Sequence, residues 1–316
     1  MEPETSGVVT TRALVASDLD EADRIMRVAF GTFLGLPDPM AFMGDADYVH
    51  TRWTAEPSAA MAAEVEGRLV GSNFVTRWGS VGCFGPLTVS PEVWDKGVAR
   101  ALLDRTMELF DEWGVRHRGL FTFAQSPKHL GLYGRYGFLP RFLTSVMAKS
   151  VSRNGSEETM LYSASEDRGQ IVEECAALTT AIYPGLEVTR EIRAVESQNL
   201  GDTVLVMEGA EVAGFAVCHL GAGTEAGSGV CFIKFGATRP GDGAAGRFAR
   251  LLEACETFAT TSGAGVVRAG VSTSRRGAYQ TLIERGYLAQ LVGVTMHQPD
   301  EEAYHRPDAW VLDDWR

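Results

Sequence analysis

No Cys-X-X-Cys pair, no His-X3-His pair and no apolar run of the ~18 residues needed to span a bilayer occurs in this 316-residue chain. The first two absences remove the usual metal-ligand spacings, and the third removes a membrane-spanning helix. The five cysteines (Cys83, Cys175, Cys218, Cys231 and Cys255) are odd in number and apolar in their flanks. They read as reduced core thiols rather than a disulfide frame. Positive charge is in the minority: 29 Lys and Arg against 41 Asp and Glu leave a net charge of −12. Such a chain repels phosphate backbones, which argues against nucleic acid as a partner. The opening MEPETSG carries acid where a signal peptide needs a positive patch. The expectation is a cytoplasmic protein with no metal, no nucleic-acid partner and no membrane partner. Nothing in the sequence sets its oligomeric state.

With 45% hydrophobic and 22% charged residues, the chain is globular in composition, and its length suits two domains better than one core. It also repeats itself. CFGPLTVSPEVWDKGVARALLDRTMELF starts at Cys83, and CFIKFGATRPGDGAAGRFARLLEACETF starts at Cys231. Pro91 and Gly97 match Pro240 and Gly246, and Gly137-Phe138 matches Gly286-Tyr287, all at one offset of 149 residues. EVEGRLVGSNFV at 64–75 and VMEGAEVAGFAVC at 206–218 both read as hairpins around a glycine-bearing turn. The chain is therefore read as two copies of one mixed α/β fold, 1–150 and 151–316.

In the first copy the pattern predicts a strand at 8–14, a helix capped by Ser17, and strands at 59–66, 69–77 and 81–89. A helix over 95–113 follows, with Val98, Leu102 and Leu109 and their neighbours Ala99, Leu103 and Phe110 on one face. A strand at GLFTFA, a short helix at PKHLGLYGRY and a strand at FLTSVMAK complete the copy. The polar stretch 150–158, with Asn154-Gly155, is the expected linker. The second copy is expected from about 170, with its main helix at 245–260.

A glycine-bearing turn entering a helix offers backbone N–H groups at the positive end of the helix dipole, a place for a diphosphate. Gly97 and Ala99 are small enough for close approach, Lys96 and Arg100 add positive charge, and Asp95 opposes it. Gly85-Pro86 within the preceding β-run predicts a bulge or splay.

LTVSPEVWDKGVARALL followed by LYGRYGF resembles the acetyl-CoA signature of the GNAT superfamily of N-acetyltransferases. Leu87, Val89 and Pro91 fit its strand end, and Gly97 and Ala99 fit its loop. Trp94 and Asp95 depart from it, standing where Gln or Arg and Gly are usual. The resemblance implies two tandem GNAT-like acyl-CoA N-acyltransferase domains using acetyl-CoA as cosubstrate. It gives the pantetheine arm to Leu87, Thr88 and Val89, and the diphosphate to Lys96, Gly97, Val98, Ala99 and Arg100. Ser126 stands where many members have a cofactor-touching Asn. Tyr133, four residues before Gly137, stands where the family has the general acid that protonates the departing thiolate.

The implied reaction is direct acetyl transfer to a primary amine, of a small molecule or a peptide, in a ternary complex. A general base is also required. Cys83 stands where some members carry a glutamate, and Glu64, Glu66 and Glu92 are candidates only by closeness in sequence. The acidic net charge weakly favours a cationic acceptor. FGTFLGLPDPMAFMG is open between a pocket wall and a domain contact. In the second copy Leu282 stands opposite Tyr133, so that copy reads as degenerate, shaping the substrate cleft or buttressing the first. The same residues allow a non-catalytic acyl-CoA-binding or regulatory protein. GDGAAG at 241–246, with Ser272 and Arg275 downstream, also matches a dinucleotide fingerprint.

Overall fold

The computed structural model describes residues 7–152 and 159–316, so the expected Asn154-Gly155 turn lies outside the described residues. The first copy runs β1 (Val9–Ala13), α1 (Leu19–Phe33), α2 (Val49–Ala55), β2 (Ala60–Val65), β3 (Arg68–Trp78), β4 (Val81–Phe84), β5 (Thr88–Val89), α3 (Val98–Trp113), β6 (His117–Thr122), α4 (Pro127–Gly134) and β7 (Leu139–Ser150). The second repeats that order: β8 (Met160–Leu161), α5 (Arg168–Ile182), α6 (Thr189–Gln198), β9 (Gly201–Glu208), β10 (Glu211–Gly221), β11 (Gly227–Thr238), α7 (Ala244–Thr261), β12 (Val266–Ser272), α8 (Arg276–Glu284) and β13 (Leu288–Gln298). The C-terminal segment then adds β14 (Val311–Leu312).

Both main helices are amphipathic for the same reason. The 3.6-residue spacing of Val98, Leu102, Leu109 and Phe110 in α3, and of Phe248, Leu251, Leu252, Cys255 and Phe258 in α7, puts each set on a face buried against the sheet. All five cysteines are free and buried. No helix among the described residues is long and apolar enough to cross a membrane.

The strands form one sheet in the order β1-β2-β3-β4-β6-β13-β7-β12-β11-β10-β9-β8, with β5 on β3 and β14 on β11. The copies exchange their last strands. β13 pairs antiparallel with β6 (Thr295 opposite Phe121), and β7 pairs antiparallel with β12 (Met147 opposite Ala269). The two exchanged strands also pair with each other, Val292 opposite Ser145, which closes the sheet across the middle of the molecule.

Four local expectations are corrected. The α1 cap is Asp18 rather than Ser17; Ser17 lies in a 3-10 turn, and the Asp18 carboxylate accepts the Val15 N–H at 2.9 Å. The second copy begins with β8, about ten residues earlier than its helical pattern suggested. Helix α3 starts at Val98, because Asp95 (φ 65°) and Gly97 (φ 87°) hold a left-handed turn first. The counterpart of Gly97 is Gly243, the φ 80° residue before α7, whereas Gly246 lies inside the helix.

Candidate active site

The expected run 81–89 is broken. β4 pairs parallel with β6 from Val81 opposite His117 to Phe84 opposite Leu120. At Gly85-Pro86 the chain turns away, and β5 pairs with β3 instead, Gly71 opposite Val89. Proline cannot donate to a ladder and Gly85 takes φ 144°, so pairing with β6 ends here. The result is a wedge between Gly85–Leu87 on one side and Leu120–Phe123 on the other.

A buried ionic chain holds the bulge. The Arg52 guanidinium on α2 donates to the Gly85 carbonyl at 2.5 Å and to both Glu225 oxygens at 3.0 and 2.9 Å. Lys234 on β11 joins Glu225 (2.8 Å) to Glu191 (3.1 Å), and Glu191 accepts from the Trp78 indole at 2.9 Å. Burial alone would raise the Glu225 carboxyl, yet Arg52 and Lys234 outweigh it and hold the group well below the usual carboxylate range. The second copy thus fixes the bulge of the first.

At the mouth of α3 no side chain caps the helix, so its first-turn N–H groups have no intrahelical partner. Lys96 and Arg100 are exposed beside it, Ala99 is half-buried, and Val98 turns its side chain into the core. Asp95 pairs with Lys128 at 2.8 Å, which offsets the acid on this loop. Trp94 donates its indole N–H to the Val89 carbonyl at 2.8 Å, tying the loop to the end of β5. Thr88 is buried with its hydroxyl 3.2 Å from that of Ser72, so its side chain faces away from the wedge. Ser126 is the α4 cap, accepting the His129 N–H at 3.4 Å.

The wedge opens into a cavity of about 170 Å³. Met26 and Phe30 of α1, Leu34 just after it, and Phe42, Met43 and Tyr48 of the following loop form one wall, placing the aromatic and methionine stretch on the cavity. Leu87 and Tyr133 lie on its surface as well. The second copy contributes Leu291, Trp315 and Arg316. Tyr133 is buried edge-on to Phe84, centroids 5.8 Å apart, and its hydroxyl makes no hydrogen bond among the described residues. Burial raises its pKa, which keeps the proton on the oxygen. His129, one turn earlier on α4, lines the same cavity and escaped the sequence reading because a single histidine has no spacing to mark it. Cys83 does not line the cavity; it is buried in β4, and burial pushes its thiol up to about 12. Glu64, Glu66 and Glu92 do not line it either, with Glu64 bound to Arg12 and Glu92 exposed beside Arg68.

In the second copy the corresponding seam is filled. β11 is one strand with a one-residue register shift at Lys234 against β10, and beyond it Gly214 lies opposite Thr238 and Phe215 opposite Ala237, matching Gly71 opposite Val89 and Ser72 opposite Thr88. β14 lies against it, Leu312 opposite Gly236 and Val311 opposite Ala237, the counterparts of Leu87 and Thr88. The segment is clamped there by Arg275, which binds the Val311 carbonyl (3.1 Å) and Asp313 (3.1 and 3.2 Å). Tyr304 donates to Asp313 at 2.9 Å and receives the Trp315 indole N–H at 2.7 Å. Gly119 and Gly270 leave the room through which Trp315 and Asp314 pass, since a Cβ on either would collide with them. Ser272 and Arg275 are fully buried, and Arg275 is spent on this clamp, so neither is open to a dinucleotide phosphate. Over the mouth of α7, Arg247 folds back onto Glu208 (2.8 Å) and the Asp242 carbonyl (2.9 Å). Among the described residues no cluster of His, Cys, Asp and Glu could hold a metal ion.

Residues 28–138 match the acetyltransferase (GNAT) family. No curated protein matches the sequence. Among solved structures, a candidate acetyltransferase from Pyrococcus horikoshii is 13% identical over 97% of this chain and 95% of its own, with a TM-score of 0.69. A GCN5-related N-acetyltransferase from Sphaerobacter thermophilus is 15% identical over 92% and 95%, with a TM-score of 0.59. A tandem GNAT protein of the clavulanic acid biosynthesis pathway is 13% identical over 92% and 98%, with a TM-score of 0.56. At these identities the likeness is one of fold, and it extends over both copies.

Proposed function

We propose that the chain is a tandem member of the GNAT acetyltransferases, whose family model matches residues 28–138, and that it transfers an acetyl group from acetyl-CoA to a primary amine, using one site in the first copy. The observation that carries this reading is the open wedge at Gly85–Leu87, with the uncapped α3 mouth nearby and Tyr133 on the cavity it opens into. The residues fit the cosubstrate. The N–H groups at Gly97, Val98, Ala99 and Arg100, with the Lys96 and Arg100 charges, suit a diphosphate. The edge of β5 turned away from β3 suits an extended amide-bearing arm, apart from the Val89 carbonyl, which Trp94 occupies. Acetyl-CoA supplies the activated thioester; Tyr133 holds a proton for the departing sulfur, and Ser126 fixes the start of the helix that carries it.

In this reading residues 1–150 bind the cosubstrate, while 151–316 brace the bulge through Glu225 and complete the acceptor cavity through Leu291, Trp315 and Arg316. Replacing Tyr133 by Phe removes the acid and keeps the ring. We expect kcat to fall by about 10²–10⁴-fold with the acetyl-CoA affinity unchanged. An unchanged kcat would remove Tyr133 from the mechanism. Acetyl-CoA binding with no turnover of any amine would leave an acyl-CoA-binding protein instead.

A further inference from the structure

Resting on the acyl-transfer reading of this cavity, we infer that its acceptor is a small primary amine on an aromatic or branched apolar body without a second positive charge, and that His129 receives the amine proton. The walls are Met26, Phe30, Phe42, Met43, Phe123 and Leu291, and among the described residues neither Asp nor Glu side chains line the cavity. Arg316, the one Lys or Arg among the described lining residues, is paired with Asp314 at 2.9 Å. A polyamine or amino-sugar would have to bury an ammonium against hydrocarbon or beside this arginine, with no Asp or Glu side chain of the described lining to meet it.

The base follows from the same lining. An amine must lose a proton as it becomes an amide, and among the described lining side chains, which include no Asp or Glu, His129 is the one that accepts a proton near neutral pH. It stands four residues before Tyr133 on α4, hence on the same face, with ring centroids 6.5 Å apart. Phe33 lies against the imidazole at 4.9 Å and Phe123 at 6.3 Å. Its Nδ1 is buried and makes no hydrogen bond. Lys128 and Tyr133 are the charged and titratable neighbours on its own helix, while α1 and the end of β6 present only these phenyl rings. Burial, then Lys128, lowers its pKa from 6.5, so the ring is neutral near pH 7 and free to take a proton. In the transfer, the amine nitrogen bonds to the acyl carbon and the carbon–sulfur bond breaks. Sulfur takes the Tyr133 proton, and the surplus nitrogen proton passes to His129. His129 then returns one proton through solvent to the Tyr133 oxygen, which restores both groups.

The test uses the full chain with acetyl-CoA, following thiol release with benzylamine, phenethylamine and isopentylamine against spermidine and glucosamine, alongside calorimetry of acetyl-CoA binding. The expected result is turnover of the apolar monoamines with kcat/KM at least tenfold above the polar pair. Acetyl-CoA binding with preference for spermidine or glucosamine, or with no turnover, overturns the acceptor class and leaves the cosubstrate site standing. Failure to bind acetyl-CoA removes both. Phe42→Glu adds the missing carboxylate and should narrow or reverse the preference against spermidine; an unmoved preference contradicts the account. His129→Gln should lower kcat by about 10²-fold or more, leave acetyl-CoA affinity alone and abolish the acid limb of the kcat–pH profile at saturating amine, where titration of the free amine does not contribute. Retention of that limb in the variant eliminates His129 as the base.

Discussion

The two copies follow the same path until their central strands reach the end of pairing with the next strand, at Phe84 in one and Ile233 in the other. Beyond that point the first copy meets Gly85-Pro86 and bends off, leaving a wedge. The second shifts register by one residue at Lys234 against β10, pairs on to Thr238 and takes β14 as a new neighbour. One fold therefore yields either an open slot or a seam sealed by the chain itself, according to whether a segment lies in the gap. The helix mouths differ in the same sense: Gly97 leads to exposed Lys96 and Arg100, while Gly243 lies under an Arg247 already bound to Glu208 and the Asp242 carbonyl. The filled side also serves the open one, because the segment that seals the second seam carries Trp315 and Arg316 on to the first cavity.

The comparison breaks most severely at the clamp. Arg275→Met leaves the buried Asp313 without its cation, and removing one partner of a buried pair costs about 3–5 kcal/mol. Denaturant unfolding should show that loss, with the acceptor cavity disturbed in the same variant; a stability unchanged within about 1 kcal/mol would mean that β14 is not held by this pair.

Acidification should act next, at the exchange of strands. His117 and His297 meet at 3.0 Å between β6 and β13, with His305 against them, and His219 lies beside Glu225. Burial, then Arg141 and Arg116, lowers His117 to about 4, and burial, then His117 and nearby arginines, lowers His297 to about 3. Burial and Lys234 lower His219 to about 4, and His305 lies well below its usual value. The unfolded chain takes up protons from about pH 6.5 downward while the folded chain does not. Stability is therefore fully present above pH 6.5 and falls as the pH drops toward 4, by about 1 kcal/mol for each buried histidine at pH 5.5. A flat midpoint between pH 7.5 and 5.5 would contradict the neutral burial of these rings.

The smallest effect is expected at the open mouth. Asp95 and Lys128 are exposed, so Lys128→Ala should change stability by less than about 1 kcal/mol. It should nonetheless weaken acetyl-CoA, by about tenfold or less, because the Asp95 charge is then uncancelled near the diphosphate. Tighter binding in that variant would place the diphosphate elsewhere.

Local signals in the sequence carried much of this. The spacing of Val98, Leu102 and Leu109 marked α3, Gly85-Pro86 marked the break, and LYGRYGF marked the helix carrying Tyr133, because each depends on residues close in the chain. What stayed hidden depends on distant partners. FLTSVMAK and LAQLVGVTMH are both apolar strands, and nothing local tells either that it pairs across the copies. WVLDDWR read as a tail pinned by its tryptophans, but its place in the second seam follows from Arg275, some 35 residues upstream, and from room at Gly119 and Gly270. The misplaced partner of Gly97 has a simpler cause. The loop before α7 is three residues shorter than the loop before α3, so matching prolines overshot the turn.

The central claim, one open slot and one sealed, is tested most directly by calorimetric titration of acetyl-CoA into the full chain, its Gly97→Val variant and its Gly243→Val variant. The account predicts one site per chain, lost in Gly97→Val and kept in Gly243→Val. Two sites per chain, or loss of binding on changing Gly243 alone, would contradict it.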